Sequence, residues 1–228
     1  MTAVITGTPT RIDTLTGASP GAQTITVPAD AEGVAIFMTG INAGTALVAS
    51  MTSDFSSAFT ITQNGNTALN GVSVSLARVT STGAGKTFTP SFNVAPDEGP
   101  CCSYAFVKGI PPSGAWFETV DVDQGSGSAL TLSVTSATDS LVFFYDSDDS
   151  TIGNASGTTN LTNHTVNGDY ANLNSVNSPG ASTTSVTGVG TGFPASALVS
   201  IKASGGGSPT SFPPIRSQGT PFAPLTFF

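Results

Sequence analysis

Four groups of residues in this chain have the types and spacing that could do chemistry. GAGKT at 83–87 has the small residues and lysine of a phosphate-binding loop. That loop needs a glycine five positions before Gly85, where the chain has Thr80, and a helix after the lysine, where FTPSF is strand-like. A hairpin turn is the expected role. Asp146, Asp148 and Asp149 have partial calcium-loop spacing, but the position eleven after Asp146 is Gly157, not the bidentate Glu of an EF-hand. They read as solvated loop carboxylates, with a weak calcium site as the minor alternative. His164, the only histidine, lies between Asn163 and Thr165 in a polar stretch. A Ser-His-Asp set would need a carboxylate to hold it and a nucleophile beside it, and no nucleophile elbow is visible, so an exposed loop histidine is expected. Glu118, Asp121 and Asp123 share one predicted strand and could supply a glycosidase pair. The lone Trp116 makes a poor sugar platform, and an exposed acidic edge is the simpler reading.

The adjacent Cys101 and Cys102 would need a strained ring to bridge, because neighbouring strand residues point to opposite faces. Two free thiols are expected, one facing in and one out. No second Cys or His cluster completes a metal shell. The chain therefore reads as non-enzymatic, with no cofactor.

Composition narrows the classes further. Charged residues are 9% of the 228, against roughly 25% in an ordinary globular protein, and the net charge is -8. The six basic residues, Arg11, Arg78, Lys86, Lys108, Lys202 and Arg216, are scattered singly, so no stripe follows a phosphate backbone and direct nucleic-acid binding is not expected. MTAVITGTPTRID has no basic or apolar leader region, and no run reaches the roughly 20 apolar residues of a membrane span. Synthesis in a cytosol, with no membrane partner, is the expectation.

The elements that must position these residues are strands. Apolar positions at i, i+3, i+4 and i+7 are not sustained anywhere, whereas short alternating runs recur between Gly, Asn, Pro and Asp clusters. QTITVPADAEGVAIFM (23–38) and LTLSVTSATDSLVFFY (130–145) align without gaps, and TTSVTGVGTGFPASALVSIKA (183–203) is a weaker copy with a longer turn. Each copy is an alternating strand, a polar turn, then a mostly apolar strand. The first strand should be half-buried and the second buried on both faces. The pattern predicts an all-β, two-sheet antiparallel sandwich, jelly-roll-like, over 1–204. Two tandem subdomains split near 111–115 are the alternative. The polar stretch 146–180 is expected to be a long loop, with a hairpin at Asn167 and Gly168.

SGGGS at 204–208 predicts a hinge, and 205–228 an extended C-terminal arm. SPTSFPPIRSQGTPFAPLTFF has five prolines and four phenylalanines. Proline keeps it out of helix and strand, and in polyproline geometry it reaches roughly 65 Å at about 3.1 Å per residue. Phe212, Ile215, Phe222, Leu225, Phe227 and Phe228 are the expected partner-binding residues, each buried Phe worth roughly 1.5–3 kcal/mol.

Thr/Ser/Gly-rich strands such as VTSTGAGKTFTPSF (79–92) and SPGASTTSVTG (178–188), together with the arm, resemble the β-sandwich structural proteins of tailed bacteriophage virions. These are capsid decoration (cement) proteins and tail accessory proteins. The resemblance implies a non-enzymatic virion component, often trimeric, that reinforces the capsid through the major capsid protein. It also fits a tail-tip or fibre adhesin that meets a host glycan through the 146–180 loop.

Overall fold

The computed structural model describes residues 2–13, 15–41, 50–64, 70–93, 95, 100–149, 152–166 and 169–205. The arm residues Phe212, Ile215, Phe222, Leu225, Phe227 and Phe228 lie outside the described residues. Those described form an all-β structure of antiparallel sheets without a helix.

One five-stranded sheet has the order β1 (Val4–Ile12), β8 (Cys101–Lys108), β3 (Gly33–Ile41), β6 (Asn70–Arg78), β5 (Thr60–Asn64). A second has the order β12 (Thr158–Val166), β13 (Asp169–Val176), β11 (Leu141–Asp148), β15 (Ala195–Ile201), β9 (Phe117–Gln124). The expected pair of sheets is thus present, and each carries a smaller sheet besides: β2 (Gln23–Val27), β7 (Gly83–Ser91) and β4 (Ser50–Ser53) with the first, β10 (Thr131–Thr135) and β14 (Thr183–Thr187) with the second.

Side-chain alternation explains the layering. Ala35 and Phe37 of β3 and Ala105 and Val107 of β8 meet Phe143 and Tyr145 of β11 and Ala197 and Val199 of β15 in one core between the five-stranded sheets. The intervening residues turn outward: Val34, Ile36 and Met38 pack on Ile25 and Phe88 of the three-stranded sheet. Val142, Phe144 and Leu198 pack on Leu132, Val134 and Val186 of the two-stranded one. Strands β3, β8, β11 and β15 are therefore apolar or small over most of their length, with charge only towards strand ends, at Lys108 of β8 and at Asp146 and Asp148 of β11. The three sequence copies are β2–β3, β10–β11 and β14–β15, and in each the alternating strand joins a small outer sheet while the apolar strand joins a central one.

Three expectations change. Residues 158–166 and 169–176 are not loop but strands β12 and β13, paired to each other, with β13 also paired to β11. From Ala171 to Asn174 β13 is buried on both faces: Ala171 and Leu173 go to the core, and Asn172 and Asn174 are buried opposite them, the Asn172 amide donating to Gly153 O at 3.0 Å. Val166 pairs with Asp169; Asn167 and Gly168, where the hairpin turn was expected, lie outside the described residues. GAGKT is not a turn but the start of β7, with Lys86 opposite Ile25 and Thr87 opposite Thr24. The N-terminal strand β1 has a bulge between Thr6 and Thr10, which breaks the alternation by which a strand is recognised.

The segment joining the two sets of sheets, with Pro111 and Pro112, is tied down by Arg78, whose Nη2 donates to Pro111 O at 2.6 Å and Gly114 O at 3.0 Å. Trp116 is 5% exposed and belongs to the central core, not to a sugar-binding platform. Cys101 and Cys102 form no disulfide and face opposite ways as expected, but both sides are interior: Cys101 enters the central core, Cys102 the outer one. Burial pushes the Cys102 thiol far up, which keeps it protonated and unreactive.

Candidate functional site: polar seams and outer faces

The acidic run is structural. Asp146 and Asp148 are 1% and 0% exposed at the end of β11, contrary to the expected solvated loop. Asp146 accepts from Ser196 Oγ at 2.6 Å and from Val189 N at 3.0 Å. Asp148 accepts from Gly192 N and Phe193 N, both at 3.0 Å, and Asp149 accepts from Phe193 N at 3.2 Å. The loop GVGTGF (188–193) thus folds its amides around three carboxylates. Its glycines make the approach possible: a Cβ on Gly190 would lie 2.3 Å from Asp148 Oδ2, and one on Gly192 1.9 Å from Asp149 Oδ1. These amide and hydroxyl donors are what fix the carboxylates in place, so their role in the fold is to anchor the 188–193 loop. No group of three potential metal ligands occurs among the described residues. Burial raises the Asp146 carboxyl above its usual range, and the neighbouring Asp148 carboxylate raises that of Asp149.

His164 is buried, 2% exposed, and not the expected loop histidine. It projects from β12 across the seam between the two five-stranded sheets. Its Nε2 lies 2.6 Å from the Cys102 carbonyl of β8, and its Nδ1 lies 2.6 Å from Asp13 Oδ1 just past β1. Arg11 Nε pairs with Asp13 at 3.1 Å, Arg11 also donates to Asn163 O, and Ser103 Oγ meets Thr162 Oγ1 at 2.8 Å. Both neighbours are acceptors and a neutral ring has one N–H, so it donates either from Nε2 to Cys102 O or from Nδ1 to Asp13 Oδ1. Burial lowers the pKa of His164 and outweighs the opposite pull of Asp13, while Arg11 pushes it further down. The unfolded chain, with histidine near 6.5, then binds the proton more readily than the folded one. Stability should be full above about pH 6.5 and fall as the pH drops below it. His164→Gln should flatten that slope while lowering stability at pH 7 by about 1 kcal/mol for the Cys102 bond. Urea melts of both proteins at a series of pH values test this, and parallel pH profiles would refute it.

The acidic strand β9 protects an edge. Asp121 Oδ2 accepts from Ser133 N at 2.8 Å and Thr119 Oγ1 from Thr135 N at 2.8 Å, so side chains of β9 cap amides along β10. Asp123 Oδ1 caps Gln124 N at 2.8 Å. The exposed acidic edge expected from sequence is present at Asp123, whereas Asp121 is half-buried and engaged. Capped backbone amides blunt the edge against pairing with other chains.

The outer faces of both small sheets are built from hydroxyls. On β10 and β14, Thr131 opposes Thr187, Ser133 opposes Ser185 and Thr135 opposes Thr183, all exposed. The first two pairs are bonded oxygen to oxygen at 2.8 and 2.7 Å. On the three-stranded sheet, Thr24 opposes Thr87, Thr52 opposes Thr89 and Ser50 opposes Ser91. These cross-strand pairs carry no charge. The signal was present in the sequence as TIT, TFT, TLSVT and TTSVT, but reading it as a surface requires knowing which sheet each run joins.

Comparison of the chain with protein-family models, with curated proteins and with solved structures found no match in any of the three.

Proposed function

We propose that this protein is a non-enzymatic structural component of a tailed-phage virion, a capsid decoration (cement) protein with a jelly-roll-like sandwich body and a C-terminal arm over 205–228. The body sits as a homotrimer on the lattice of the major capsid protein, and Phe222, Leu225, Phe227 and Phe228 are buried against a neighbouring chain. The observation that carries this reading is the pair of hydroxyl faces. Ser and Thr hydroxyls both donate and accept, cost little to desolvate beside a charged group, and offer a flat surface to an equally flat polar neighbour. A chain in which only 9% of residues are charged suits permanent contact better than free diffusion.

The test is binding of the purified protein to expanded capsids, using the full chain, a chain ending at Gly205, and the variant T131K/S133K/S185K. Each change should weaken binding at least about tenfold, equivalent to roughly 1.4 kcal/mol. Capsid binding unchanged in both altered proteins would overturn the proposal. The tail-tip or fibre reading, in which a host glycan is the partner, now rests on the same hydroxyl faces, since most of 146–180 is strand. Antibody labelling of particles separates it, because signal at the tail rather than the head would favour the adhesin.

A further inference from the structure

Two cavities lie end to end along the seam between β1 and the β2 turn. The first, of about 510 Å³, has Val4, Ala29 and Ala31 on its apolar side and Asp30, Glu32 and Lys108 on its charged side, with Gly109 also lining it. The second, of about 490 Å³, is lined by Gly7, Ile25, Pro28, Tyr104 and Phe106 with a rim of threonines. The ridge between them is the Thr6–Asp30 hydrogen bond and the approach of Gly7 to Pro28, where a Cβ would lie 2.7 Å from Pro28 Cγ. Gly7 has φ 69°, so alanine is strained there on both counts. Among the described residues β1 and β2 are edge strands, each paired on one side only. Both therefore offer backbone groups to an added extended segment.

The described chain ends at the mouth of this groove. Ser204 N donates to Gly109 O at 2.6 Å, and Gly109 lines the first cavity. Val4, 40% exposed, is one of two exposed large apolar side chains among the described residues, and it lines the same cavity. The sequence that follows carries Phe212 and Ile215, separated by two prolines, and Arg216 as its only charge, on a chain of net charge -8. In polyproline geometry residues three apart share a side at about 9 Å. Val4 and Gly7, one in each cavity, are three strand residues apart, about 10 Å.

We propose that residues 208–216 dock in this groove of their own chain, with Phe212 in the first cavity and Ile215 in the second. The chain's own segment is favoured over a neighbour's because it leaves the body at the groove, and a short tether holds it there at an effective concentration on the order of millimolar. Phe222, Leu225, Phe227 and Phe228 lie past the docked stretch and remain available for an external partner. The inference does not depend on what that partner is.

The test is amide exchange by NMR on the isolated protein, read at the β1 and β2 amides not used by β8 or β7. The full chain and a chain ending at Arg216 should exchange there at least about tenfold more slowly than a chain ending at Gly205 or the variant F212S/I215S. Val4→Lys, which leaves the segment intact, should speed exchange in the same way, while the core amides of β3 and β11 stay protected in every protein. Equal exchange with and without 206–228 would overturn the proposal. So would protection that disappears on dilution, since the segment would then belong to another copy.

Discussion

Gly190→Ala is expected to destabilise the protein by about 3 kcal/mol or more, the combined scale of overpacking and of lost bonds to a buried charge. The added Cβ would lie 2.3 Å from Asp148 Oδ2 and 3.0 Å from Asp148 Cβ. Asp148 is fully buried and cannot swing into solvent. Either the carboxylate leaves Gly192 N and Phe193 N, abandoning two charge-assisted bonds, or the 188–193 loop lifts off β11. The second route also strips Val189 N from Asp146, whose burial already disfavours its charge. Gly21→Ala is the control, since its Cβ would meet nothing within 4 Å and its φ is not positive. That variant should stay within about 0.5 kcal/mol of the parent. Urea midpoints at constant m-value measure both, and a Gly190→Ala loss below about 1 kcal/mol would mean that the loop does not clamp the carboxylates as described.

Phe37→Ala should cost about 3–5 kcal/mol, the range for emptying a large aromatic site. Phe37 is fully buried on β3 and reaches across to the second sheet, stacking on Tyr145 at 5.5 Å and meeting Phe143 edge-on at 5.8 Å. No side chain of either sheet can refill the site without moving its strand, because both partners sit on β11, which is packed on its other face by the two-stranded sheet. A shared core also predicts that near-UV and far-UV signals of the parent melt together. A loss under about 1.5 kcal/mol, or separate transitions for the two halves, would show that the five-stranded sheets do not stabilise one another. Ser133→Ala, on the outer hydroxyl face, should by contrast change stability by less than about 0.5 kcal/mol.

The contrast between these sites shows where local pattern carried information. QTITV, LTLSV and TTSVT alternate because one face of each meets a core and the other meets water, so their half-burial was legible residue by residue. GVAIFMTG and LVFFY were legible as doubly buried strands for the matching reason: with both faces covered these runs carry no charge, and β11 admits one only at Asp146 and Asp148, where the 188–193 loop supplies hydrogen-bond donors. Residues 158–166 and 169–176 were not legible as strands, since their few aliphatic side chains, Leu161, Val166, Ala171, Leu173 and Val176, are outnumbered by Asn and Thr, several of which hydrogen-bond locally or across the strand pair. The bulged β1 was hidden by its broken alternation.

By itself the sequence determined the all-β class, the threefold strand-pair copy and the opposed facing of Cys101 and Cys102, because each follows from the two-residue period of a strand. Only the tertiary structure decided the roles of the chemically capable side chains. Asp146 and Asp148 became the anchors of a glycine loop, His164 a buried bridge between sheets and Asp121 an edge cap, since burial and hydrogen-bond partners come from segments that lie far away in the chain. The same holds for the hydroxyl faces and the β1–β2 groove. A Thr-x-Thr run says that one side of a strand is polar, and the arrangement of layers decides whether that side meets solvent, another sheet or a partner.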